Sequence, residues 1–107
     1  MSVTIRDAQH LCWKNFRTIN DKLDPEAGKK WTPAVTVSEI LEESSKIRKA
    51  VEKLDGLKFE EKPEANEKLA RELSNMLYLL LVLAEHYKIE LEESFLQTVN
   101  DSIVSRL

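Results

Sequence analysis

Glu39, Glu42, Glu43 and Lys46 follow one another at i, i+3, i+4 and i+7, a spacing that gathers all four on one stripe of an α-helix. A second polar pair, Glu72 and Asn75, interrupts the most apolar run of the chain, RELSNMLYLLLVLAEHY from Arg71 to Tyr87. At about 3.6 residues per turn this pair falls among Leu69, Met76, Leu79, Val82 and Leu83, not on a face of its own. If the two helices return antiparallel, the glutamate stripe faces Glu72 and Asn75 and makes a polar pocket between them. Two like charges ~4 Å apart repel by about 4 kcal/mol at an effective dielectric near 20, so such a gathering needs compensation. Magnesium is the expected cofactor, because a hard cation takes carboxylate oxygens and keeps waters and phosphates as its other ligands. For Glu39 and Glu42 a solvated helix face is the competing reading.

The elements that must hold these residues read as all-α. Two glycines, three prolines and helix-period apolar spacing almost throughout predict about four helices in a single domain over residues 1–107. The first is expected from Thr4 to Leu23, with Thr4 and Asp7 capping it and Ile5, Ala8, Cys12, Phe16, Ile19 and Leu23 on its apolar face. A loop follows in DPEAGKKWTP. Thr36 and Glu39 match a capping box for a second helix from Val37 to Asp55, closed by Gly56. Pro63 suits the first turn of a third helix reaching Tyr87, and a fourth ends near Arg106 with Leu96, Val99, Ile103 and Leu107 in its stripe. Ala70, Leu77 and Leu81 lie far round the third helix from Leu79 and Leu83. One layer would not cover so wide an arc, which predicts a helical bundle completed by dimerisation. Glu72 and Asn75 are expected to be buried and to face Glu43 and Lys46.

LEESSKIRKAV (Leu41 to Val51) together with EKLARELSNMLYLLLVLAEHYKIELEESF (Glu67 to Phe95) resembles the MazG-type all-α nucleoside triphosphate pyrophosphohydrolases over about the last two thirds of the chain. The resemblance implies a helical bundle that dimerises or tetramerises and cleaves a nucleoside triphosphate to the monophosphate and pyrophosphate with magnesium. That family carries an ExxE pair on one helix and an ExxD pair on the next. Glu43 and Glu72 match the first glutamate of each pair, whereas Lys46 stands where the second glutamate belongs and Asn75 where the aspartate belongs. Thr98 lies near a position at which the family often has a phosphate-holding lysine.

The resemblance thus implies catalytic roles for Glu43 and Glu72, magnesium held by these two with Asn75, Glu39 and Glu42 as further ligands, and Lys46 placed to touch phosphate. Replacing two carboxylates by a cation and a neutral amide weakens the pull on a divalent ion. The alternative is therefore a non-catalytic helical dimer, in which Lys46 and Asn75 satisfy Glu43 and Glu72 and the scaffold serves nucleotide sensing or protein binding. Lys29, Lys30 and Trp31, in GKKW, form a weaker candidate for meeting a triphosphate and stacking a base. The loop lacks the spacing of a P-loop. His10 and Cys12, two residues apart, point different ways on a helix and do not make a zinc pair, and His86 reads as a surface or capping residue.

Bulk properties narrow the classes further. A net charge of −3 without a long Lys/Arg cluster argues against nucleic-acid binding and against an anionic membrane surface. The run Met76 to Ala84 is far below the ~20 apolar residues that a membrane span needs, and MSVTIRDAQ has no apolar signal core. One cysteine closes no disulfide within the chain, so a cytoplasmic, reducing location is expected.

Overall fold

A computed structural model of the protein describes residues 2–22 and 31–105. Within them the chain is all-helical: α1 (Ile5–Asp21), α2 (Pro33–Asp55), α3 (Lys62–His86) and α4 (Leu91–Ser105), with a 3-10 turn at Phe59–Glu61 before α3. The described chain divides into two compact units. One is built on α1, α4 and the end of α3 from Leu81, and the other on α2 with α3 up to Leu80.

Local signals explain most of the boundaries. Thr4 caps α1 as expected: its hydroxyl accepts from the Asp7 N–H at 3.0 Å while the Asp7 side chain takes the Thr4 N–H. The second helix begins a turn earlier than predicted. Thr32, not Thr36, is its cap, accepting from the Val35 N–H, and Pro33 occupies the first helical position, where a missing N–H costs nothing. Thr36 is instead fully buried inside the helix, donating to the Thr32 carbonyl. Gly56 closes α2 as its spacing suggested, and Pro63 lies in the first turn of α3.

The end of α3 uses a device without a glycine. Ile89 donates back to the Ala84 carbonyl and Lys88 to that of Glu85, with Lys88 at φ 56. This is the double backbone closure that commonly employs glycine at the left-handed position.

In the first unit Phe16, Leu81, Val82 and Ala84 are buried, and Ile5, Ala8 and Cys12 are half-buried. Ile19, expected on the same face, is exposed at 54%, while Gln9 takes a buried place on it. Leu23 and Leu107 lie outside the described residues. The wide arc of α3 is only partly covered: Leu81 is buried, but Leu73, Leu77 and Leu80 stand exposed along one stripe. No helix among the described residues is long and apolar enough to cross a membrane.

Candidate functional site

The α2–α3 hairpin brings the candidate residues together within the second unit. Glu43 on one arm and Glu72 on the other sit at similar distances from the turn, on the order of 15–18 Å at ~1.5 Å per residue, which places them opposite each other. Their carboxyl groups lie within hydrogen-bonding reach, and Lys46 and Asn75 both act on Glu43. Four side chains from the two motifs therefore share one neighbourhood.

Their burial differs from expectation. Glu43 is the most enclosed, 6% exposed, Glu72 is half-buried, and Asn75 and Lys46 are exposed. Glu72 shares the half-buried line of Met76, Leu79 and Leu83, whereas Asn75 lies about 60° round α3 from it and so occupies the rim. From there its amide still reaches Glu43.

Electrostatics make Glu43 the unusual group. A hydrogen bond shared with Glu72, then burial, then the Glu72 charge push its carboxyl above the ordinary glutamate range. The Lys46 charge and the Asn75 hydrogen bond pull the other way without cancelling the effect. Each glutamate also presents one buried oxygen, Oε2, that has no hydrogen-bond partner. Buried carboxylate oxygens without partners are costly, and a proton or a cation at the pair relieves that cost.

Magnesium is commonly held by one or two carboxylates together with substrate phosphates, and Glu43 and Glu72 fit that minimal donor set. A larger protein cage is not formed: among the described residues no group of three or more His, Cys, Asp or Glu side chains is placed to hold a metal. Glu39, half-buried, and Glu42, exposed, therefore do not complete a three-carboxylate site with Glu43 and Glu72. The reason is angular, since only one residue per turn of α2 points across the hairpin at the level of Glu72.

Beside the pair runs a groove of about 700 Å³, within the size range of small-ligand sites. Lys46, Lys49 and Lys53 of α2 and Lys68 and Arg71 of α3 line it, and Glu72 reaches it as well. Sequence reasoning passed over four of these five cations. The signal was present, because Lys46, Lys49 and Lys53 recur at i, i+3 and i+7 and prolong the glutamate stripe toward the turn. Of the GKKW candidates, Lys29 and Lys30 lie outside the described residues, and Trp31 is half-buried. Thr98 is exposed in the other unit, its hydroxyl donating to the Ser94 carbonyl.

The first unit holds a separate polar cluster. Buried Gln9 donates to Glu85 Oε2 and to the Ile89 carbonyl, both at 2.7 Å, and accepts from the Leu91 N–H at 3.4 Å. It thereby ties α1 to the α3–α4 turn. His86 is not a surface residue: its ring packs edge-on against Trp13 and Phe16, its Nε2 is buried without a partner, and burial lowers its pKa. Cys12 is half-buried, and burial raises its thiol pKa. His10 lies 3.9 Å from Glu85.

No family model matches the chain, and neither a curated protein nor a solved structure shows significant similarity to it.

Proposed function

We propose that the chain is a MazG-like nucleoside triphosphate pyrophosphohydrolase working from a minimal metal site. The observation that supports this reading is the meeting of Glu43 and Glu72 across the α2–α3 hairpin, each with a buried oxygen left without a partner. These two carboxylates would hold magnesium together with the phosphates of the substrate, with Asn75 at the rim beside Glu43 as a further ligand. The bound metal supplies neutralisation of phosphate charge and a more acidic water. Lys46 would take a phosphate oxygen, and Glu43, whose affinity for a proton is raised beside Glu72, would give that proton up to ligate the metal.

The exposed Leu73, Leu77 and Leu80 stripe is consistent with a dimer that covers α3, and the lone Cys12 with a reducing, cytoplasmic location. The test is release of pyrophosphate from a set of nucleoside triphosphates in millimolar magnesium, with Glu72→Gln as control. Magnesium-dependent release that the control lacks supports the reading; no release from any nucleotide refutes it.

The action of both Lys46 and Asn75 on Glu43 favours a second reading, a non-catalytic nucleotide-sensing dimer. Nucleotide binding without turnover, and unchanged by magnesium, supports that one instead.

A further inference from the structure

We infer that the groove between α2 and α3 is a phosphate-chain site that works without a metal, with the phosphates at its inner end and a hydroxyl- or amine-bearing head group at its outer end. The inference takes phosphate as the ligand from the reading above but does not require hydrolysis.

Three observations carry it. The α2 wall is cationic without interruption: Lys46, Lys49 and Lys53 are the only charged residues that α2 contributes to the groove. Facing them, Lys68 and Arg71 of α3 lie beside Glu72; the Lys46 charge acts on Glu43, and none of the five cations makes a salt bridge among the described residues. Glu64 and Lys68 stand at i, i+4 spacing, where pairing is ordinarily favourable, and make no salt bridge with each other.

The remaining carboxylates are segregated. Glu60, Glu61 and Glu64 line the groove near the 3-10 turn, at the end away from Glu72. Measured along α3 at ~1.5 Å per residue, Glu64 and Glu72 are about 12 Å apart. Lys53, in the last turn of α2, stands at this end too, but three carboxylates outnumber it, so a simple polyanion would be repelled by the outer end. A phosphate chain joined to a polar head is not, because carboxylates accept hydrogen bonds from sugar hydroxyls and base amino groups. The groove's two-ended charge thus selects both the ligand and its direction.

The test measures binding calorimetrically in EDTA, with inorganic tripolyphosphate and with ATP as probes. Both are expected to bind, with affinity falling as salt rises. Lys49→Glu with Lys68→Glu should weaken both by roughly tenfold or more, since two charge-assisted contacts are replaced by repulsion. Lys49→Gln with Lys68→Gln, which removes the cations without adding negative charge, should lower both affinities in the same direction. Glu60→Gln, Glu61→Gln and Glu64→Gln together should strengthen tripolyphosphate and reduce the preference for ATP over it.

Absence of tripolyphosphate binding overturns the site, as does binding indifferent to the lysine changes. An unchanged ATP preference in the triple glutamine variant overturns the direction. Binding without pyrophosphate release leaves the groove standing and removes the hydrolase reading. Conversely, hydrolysis whose KM ignores Lys49 and Lys68 removes the groove and leaves the hydrolase.

Discussion

Glu43→Gln, measured in EDTA, should stabilise the protein at neutral pH. In the parent the Glu43 carboxyl is enclosed and meets Glu72, and its Oε2 and that of Glu72 have no partners. Glutamine keeps the shape, cannot ionise, and offers an amide N–H to the Glu72 carboxylate. A hydrogen bond to a charged acceptor contributes about 1.5–3 kcal/mol, and in a domain of this size each kcal/mol moves Tm by roughly 4–8 °C. The expected gain is therefore on the order of 5–15 °C after allowing for the lost attraction of Lys46.

The pH dependence makes the test specific. A carboxyl whose folded pKa is raised above its ordinary value of 4.5 stabilises the fold fully below that value and loses the contribution as pH rises through the folded pKa. Parent and variant should accordingly melt alike below pH 4.5 and diverge as pH rises, the variant gaining. Thermal unfolding followed by circular dichroism from pH 4 to 8 reads this directly. A variant less stable than the parent at pH 7, or a difference independent of pH, would refute the claim that Glu72 and burial raise the affinity of Glu43 for a proton.

Three further outcomes are expected. Lys46→Glu with Asn75→Asp restores a four-carboxylate site, so the double variant should lose stability in EDTA and recover it in millimolar magnesium. Pyrophosphate release should rise above the parent's, and each single change should do less than the pair. Gln9→Ala strands Glu85 Oε2, the Ile89 carbonyl and the Leu91 N–H, and should cost about 2–3 kcal/mol in urea unfolding, with little effect on nucleotide binding. His86 has a folded pKa below its ordinary 6.5, so its contribution is present above pH 6.5 and lost as pH falls through the folded pKa. His86→Phe keeps ring packing against Trp13 and Phe16 and should flatten the stability profile on that acidic side, as urea midpoints at pH 5 and 7 will show.

Local chemistry carried much of this protein from sequence to structure. The Thr4–Asp7 box, Gly56, Pro63 and apolar spacing set the helices because each acts within one turn of chain. A hydroxyl, a missing N–H or a missing side chain has the same effect wherever the helix later packs. The α2 start differs from its reading because Thr36 and Glu39 match a capping box that the helix does not use: Thr32 caps it, Pro33 takes the first helical position and Thr36 is buried. Glu72 and Asn75 were noticed because polar groups in an apolar arc need partners. That Glu43 is the partner is an expectation from the apolar arc of α3 and an antiparallel return, and the structure brings the two within reach.

Tertiary structure decided what depends on rotation about the helix axis and on distant neighbours. A rotation of about 60° sets whether Asn75 is buried or at the rim, and the packing of α3 against its neighbours chooses that angle. The same holds for Gln9, which the apolar series Ile5, Ala8, Cys12, Phe16 leaves out and the structure buries. Its partners, Glu85, Ile89 and Leu91, are more than seventy residues away along the chain. The groove belongs to this second class too: the lysine row on α2 is written in the sequence, but a row becomes a site only when a second cationic wall faces it. That depends on the separation and register of two helices, which no periodicity within either helix contains.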